Sequence, residues 1–346
     1  MSKNRAAWIT EARAKPLKVD EAPEWKAGPG EVVIKNAAIA INPVEWKIQD
    51  SGLLPFSYPG ILGEDVAGTV EEVGEGVTRF HKGQRVMAYC HSIATKDPAN
   101  GAFQLYNKVP DILAAPLPDA LTFERAAVLP LALSTAAAGL FESTTLGLPL
   151  PPADGTAAPK GNATLLVWGA ASSVGTAAVQ LARASGLRVV ATASARNHQL
   201  VRSLGAETVV DYTAPSVIQD IVAAVSGVGG DLVGVFDAVS HGETIKTIGK
   251  VLDAFGPTKV AMVLFPPETL PENYKAVHTL SFSIPNPPHD HVGDGIWRKY
   301  VPHALAKGLL QAKPDPLVVG SGLESIQGAM DRQKAGVSAQ KIVVTL

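Results

Sequence analysis

Apolar and polar positions along the chain fall into two textures. Through about residues 6–118, short apolar runs alternate with polar residues and are broken at close spacing by Gly and Pro, as in "EVVIKNAAIAI", "DVAGTVEEVG" and "QRVMAYC". Alternation interrupted every few residues by turn formers predicts the strands of a small barrel-like β domain. From about Thr122 the spacing becomes helical in the Ala/Leu-rich run "TFERAAVLPLALSTAAAGLFES", with Thr122 as the N-cap and Glu124 in the first turn. The segment "LPLPPADGTAAPKG" reads as an exposed loop that feeds a strand starting near Thr164.

Beyond that loop stand the apolar runs "TLLVW", "RVVATA", "ETVVDY", "DLVGVFDAV" and "TKVAMVL", with helical patterns between the first four. Such alternation predicts βαβ units, a parallel sheet and right-handed crossovers. A helix, "IWRKYVPHALAKGLL", and a last strand, "KIVVTL", close the chain. The returning β texture predicts that the C-terminus completes the first domain. The expected class is therefore α/β. A β-rich domain of residues 1–121 and 296–346 is interrupted by a doubly wound domain of residues 122–295.

Composition narrows the functions available. The 346 residues carry a formal net charge of -2, with 46% hydrophobic and 18% charged positions. With no basic excess to neutralise phosphates, nucleic acid is not the expected partner. The single cysteine, Cys90, forbids an intrachain disulfide framework and any multi-cysteine zinc site. The opening "MSKNRAAWITEARAKPLKV" has no apolar core of signal-peptide length, and no apolar stretch reaches the ~18 residues of a membrane span. A soluble cytoplasmic protein is expected.

The chemistry concentrates at "VWGAASSVG", where an apolar strand meets a turn of small residues and a helix. Gly169 permits the sharp turn and Gly175 permits close packing of helix on sheet. Ser172, Ser173 and Val174 open the helix, whose N-terminal N–H groups and positive dipole end suit a pyrophosphate. The middle glycine of the usual three is missing, but the alternating series around the turn favours a dinucleotide. About twenty residues on, where an NAD site has Asp or Glu, stand Ser194 and Arg196. A hydroxyl and a guanidinium suit a 2′-phosphate. Tyr212 adds a hydroxyl nearby, so NADPH is the expected cofactor. The bland alternative for Arg196 is a solvated residue at a helix start.

Together "INPVEWK", "ILGEDVAGTVEEVGEGVTRFHKGQRV", "GAFQLY", "SSVGTAAVQLAR" and "SLGAETVVDY" resemble the medium-chain dehydrogenases/reductases of the zinc-independent quinone and enoyl reductase branch. Within that branch, "NPVEWKIQ" and "SSVGTAAVQLA" are similar to the fungal trans-acting enoyl reductases that partner polyketide synthases. The resemblance implies a GroES-like catalytic domain interrupted by a Rossmann domain. It also implies a metal-free site. Where zinc relatives carry Gly-His-Glu this chain reads Gly63-Glu64-Asp65, and Pro43 and Val44 stand near the place of a cysteine ligand. A catalytic zinc requires three protein ligands and an open position. The one rival is "HDH", His289, Asp290 and His291, in a Pro-rich loop where solvated side chains are the bland expectation. Cys90, with no activating partner in view, is expected to be packed.

The resemblance places Lys47 and Thr135 beside the nicotinamide and substrate, with Asn42 as a further polar group there. The implied reaction is hydride addition to the C=C bond of an enoyl thioester or enone, with placed donors stabilising the developing enolate. Bland alternatives are a surface lysine for Lys47 and a hydroxyl bonded to its own helix backbone for Thr135. Tyr58 is a weaker proton-donor candidate. The segments around Phe56 and Tyr58 and "LFPPETLPENY" (Leu264–Tyr274) are expected to line the substrate pocket. A quinone oxidoreductase and a non-catalytic NADPH-binding accessory protein are the competing functions. Either a monomer or a homodimer is compatible with the strand "KAVHTLSFSI", whose following prolines disfavour edge pairing.

Overall fold

The computed structural model describes residues 3–52 and 57–346. Two compact units result: Met1–Leu131 with Ala312–Leu346, and Ala132–Gln311.

In the first unit the chain's two ends share one sheet. Its seven strands run in the order Asp315–Ser321, Gln340–Thr345, Glu31–Ala40, Asp65–Val73, Arg85–Tyr89 and Ala114–Pro116, with Tyr106–Pro110 pairing separately to Glu31–Ala40. The last strand pairs antiparallel to Glu31–Ala40, Val343 opposite Ala40, so residues more than three hundred positions apart become neighbours. A small second sheet places Arg5–Ile9 between Lys18–Glu21 and Gly60–Ile61. The core between them is aliphatic, built from Ile34, Ile39, Ile41, Ile48, Ile61, Leu62, Val66, Ile342 and Val344, all essentially inaccessible to water.

In the second unit six parallel strands run in the order Thr208–Val210, Arg188–Thr192, Ala163–Trp168, Asp231–Asp237, Thr258–Met262, Tyr274–His278. Numbered along the chain this order is 3-2-1-4-5-6, the doubly wound arrangement that makes a crevice where the winding reverses at the first strand. The run "KAVHTLSFSI" contributes only as far as His278, and the residues after it turn away.

Two segments differ from the sequence pattern. The helical run from Thr122 is two helices, Phe123–Ala126 and Pro130–Phe141. Pro130 causes the break, because it lacks an N–H and fits only the first turn of a new helix. Helical structure in the tail starts at Asp290 and widens into a π-helix over Asp294–Tyr300 before Val301–Ala306. There Trp297 is buried and donates from Nε1 to Ser134 Oγ at 3.1 Å. That bond ties the tail helix to helix Pro130–Phe141, its two residues both within the second unit from Ala132 to Gln311.

Candidate active site and cofactor turn

The cofactor turn is built as its residue types require. Gly169 leaves strand Ala163–Trp168 with φ +74°, and a Cβ there would lie 2.5 Å from Val239 Cγ2. A Cβ on Gly175 would meet the Gly169 carbonyl oxygen at 2.3 Å, so only glycine lets helix Ser173–Ala184 come this close. Ser172 is the N-cap, its Oγ accepting the Gly175 N–H at 3.1 Å. The N–H of Val174 has no partner among the described residues. A tight turn, an uncapped N–H and a helix N-terminus at the C-terminal end of the first strand fit a pyrophosphate.

Strand Arg188–Thr192 leads into the segment that carries Ser194 and Arg196. Ser194 Oγ accepts from Asn197 Nδ2 at 3.1 Å, and Arg196 is exposed, with no ion pair among the described residues. Tyr212, half exposed, has its ring 6.5 Å from that of Trp168. On the same rim the Asp211 carboxylate is held below its usual range by hydrogen bonds from Thr213.

In the first unit, "INPVEWK" forms the start of helix Pro43–Ser51. Pro43 occupies the first turn, the Glu45 carboxylate accepts the Asn42 N–H at 2.6 Å, and Gly52 ends the helix at φ +63°. Lys47 follows, half-buried, its Nζ 5.7 Å from the centre of the Trp46 ring and without a carboxylate partner among the described residues. Desolvation lowers its pKa. The ammonium is thus partly stripped of water and available to an incoming anion.

Asn42 lies deeper than the sequence suggests, 3% exposed inside a polar cluster. Its Nδ2 donates to Asp65 Oδ2 at 2.8 Å and to Glu45 Oε1 at 3.4 Å. Its Oδ1 accepts from Lys341 Nζ, which also pairs with Asp65 Oδ2 at 2.9 Å. Asp65 Oδ1 accepts the Leu131 N–H at 2.6 Å. Burial, then the charge of Asp65, pushes the Glu45 carboxyl up to about 8. Burial, then Glu45, pushes Glu64 well above the ordinary range as well. Lys341 gives no sequence signal beyond being a charged residue at the head of an apolar strand.

Thr135 lies on helix Pro130–Phe141 in the second unit, nearly buried, and its hydroxyl makes no hydrogen bond among the described residues. The bond to its own helix backbone is therefore not made. Tyr58 is partly buried against the aliphatic core, whereas Phe56 lies outside the described residues. In the other expected pocket segment, Phe265 is 69% exposed and stacks on the His278 ring at 4.1 Å. Cys90 is fully buried and accepts from Asn107 Nδ2 at 3.1 Å, with its thiol pKa pushed up by burial.

The "HDH" residues do not converge. His289 Nε2 faces Glu142 Oε2 at 3.7 Å, while His291 Nδ1 lies 3.1 Å from the Pro288 carbonyl. Among the described residues, no group of three His, Cys, Asp or Glu is placed to hold a metal ion.

Comparison with known proteins decides the family. Residues 28–119 match the alcohol dehydrogenase GroES-like domain, and residues 173–282 match the zinc-binding dehydrogenase family. The chain is 44% identical over 344 residues to the trans-enoyl reductase himH of Aspergillus japonicus, covering 99% of this chain and 97% of that protein. This chain is a medium-chain dehydrogenase/reductase. Its relatives in that family include the dehydrogenase orsE of Emericella nidulans, 40% identical over the whole of both chains. Among solved structures, an alcohol dehydrogenase superfamily protein from Novosphingobium aromaticivorans superposes with a TM-score of 0.78 at 26% identity, over 99% of each chain. As a member of this family the chain is an oxidoreductase of the kind that binds a nicotinamide cofactor. No helix among the described residues is long and apolar enough to cross a membrane.

Proposed function

We propose that this medium-chain dehydrogenase/reductase is an NADPH-dependent reductase of the C=C bond of an α,β-unsaturated carbonyl. On this reading its substrate is an acyl chain carried as a thioester by a polyketide synthase. The kinship with himH supports the reaction class. The half-buried Lys47 ammonium, with no carboxylate partner among the described residues, is the observation that carries the mechanism.

When bound, the reduced nicotinamide supplies the hydride that adds to the β-carbon. Charge then gathers on the carbonyl oxygen until a proton from solvent reaches the α-carbon, and the chain's task is to offset that charge. In this reading Lys47 supplies the positive charge and Thr135 a hydroxyl donor to the carbonyl oxygen or the nicotinamide. Partial burial means Lys47 surrenders little hydration on meeting an enolate, which strengthens the interaction. Ser172, Ser173, Val174 and Gly175 bind the pyrophosphate, and Ser194, Arg196 and Tyr212 surround the 2′-phosphate. No step is assigned to a metal ion.

The test follows NADPH absorbance with an enoyl thioester, a simple enone and a quinone, with a chelator in parallel. Turnover of the thioester, indifferent to chelator and reduced roughly 10²–10³-fold in Lys47→Ala, is the expected result. Turnover of the quinone alone would replace the proposal with a quinone reductase. NADPH binding without turnover of any acceptor would favour an accessory protein.

A further inference from the structure

We propose that Lys341, in the last strand, is a positioning residue of the reductase: through Asp65 and the Asn42 amide it sets the start of the helix that presents Lys47. The proposal rests on the reading of Lys47 above, and its argument is geometric. Lys341 is 4% exposed and Asp65 fully buried, so neither charge is shared with solvent. Removing one member of such a pair leaves an uncompensated buried charge.

The network determines one orientation of Asn42. Its Oδ1 faces the Lys341 ammonium and its Nδ2 faces the Asp65 carboxylate and the Glu45 carboxyl. Flipping the amide would turn NH₂ toward an ammonium and oxygen toward a carboxylate. Backbone is held at the same point, because Glu45 binds the Asn42 N–H while its other oxygen meets the Asn42 side chain. Helix Pro43–Ser51 therefore begins at a residue clamped on side chain and backbone, and Lys47 sits little more than one turn along it. Without Lys341, Asp65 loses its buried partner and Asn42 loses the cation that orders it. The helix start is then free to shift. A displacement of about 1 Å in a positioned catalytic group can cost 10²-fold in rate.

The test compares Lys341→Met, Lys341→Arg and the double variant Lys341→Met/Asp65→Asn with the unmodified chain. The double variant removes both charges and should recover much of the thermal stability lost in Lys341→Met. Readouts are the melting temperature, the NADPH dissociation constant, kcat and KM with an enoyl thioester, and the Asn42 side-chain amide resonances in a ¹⁵N-labelled sample. The expected result is a fall in kcat of roughly 10²-fold in Lys341→Met that persists in the stable double variant. Partial rescue in Lys341→Arg and displaced Asn42 resonances are expected beside it. Recovery of kcat together with stability in the double variant would make Lys341 a folding residue only and overturn the proposal. If the unmodified chain reduces no acceptor, the functional reading fails separately. The Asn42 resonances then decide the positioning: displacement in Lys341→Met supports it and unchanged resonances overturn it.

Discussion

The Glu45 carboxylate accepts the backbone N–H of Asn42 at 2.6 Å from a position with no exposure to solvent. Such a carboxyl costs most when ionised, so the pH dependence of stability follows from it. Unfolded, the group titrates near 4.5; folded, near 8. Between those values the folded state keeps a proton that the unfolded state releases, so stability falls as pH rises through the window. His91 opposes this at lower pH, because burial holds it down to about 4 against an ordinary 6.5. Its effect is a loss of stability as pH falls from 6.5. From about 6.5 to about 8 the raised Glu45 and Glu64 act in the same direction, and Glu45→Gln separates the share of Glu45. Urea unfolding across that interval should show declining stability in the native chain and a shallower decline in Glu45→Gln. Equal slopes would refute the assignment.

At the cofactor turn, two substitutions separate capping from close approach. Ser172→Ala removes the cap on Gly175 and should cost about 1 kcal/mol of stability, read by denaturant titration. Gly175→Ala places a methyl 2.3 Å from the Gly169 carbonyl, which must move. Fluorescence titration should then show NADPH affinity at least tenfold weaker. Unchanged affinity in Gly175→Ala would remove the turn from the cofactor site.

On the proposed NADPH reading, Arg196 should discriminate between the two nicotinamide cofactors on electrostatic grounds. An exposed guanidinium beside Ser194 strengthens binding only of the phosphorylated ribose, by a charge-assisted hydrogen bond. Arg196→Ala should weaken NADPH about tenfold and leave NADH within about twofold, for a differential of at least about 1 kcal/mol. The ratio of the two dissociation constants is the quantity to measure. A parallel loss for both cofactors would place Arg196 outside the 2′-phosphate pocket.

Cys90 offers a probe of folding. Its thiol is fully buried, held by Asn107, and disfavoured as thiolate by burial and by the nearby Glu64. A thiol reagent should leave the native chain unlabelled and react fully once urea unfolds it. Rapid labelling under native conditions would show that this part of the β domain opens to solvent.

Much of the architecture was legible in the residues because it rests on local periodicity. Alternating apolar runs and helical spacing predict the βαβ series, and "GAASSVG" predicts a glycine-bounded turn because its φ and its close packing tolerate little else. "NPVEW" likewise carries its helix start locally, with Asn42 before Pro43 and Glu45 at the third helical position. In the run from Thr122, where local pattern erred, one residue explains it: Pro130 divides a stretch that composition makes continuous. Other features came only with tertiary structure. Lys341 and Asn42 stand 299 positions apart, and nothing in "QKIVVTL" or "INPVEW" specifies their meeting. The sheet decides it, by pairing the last strand against Glu31–Ala40 so that Asn42, Glu45, Asp65 and Lys341 share one dry volume. Periodicity is a property of neighbouring residues, whereas burial and the balance of buried charge belong to the packed fold.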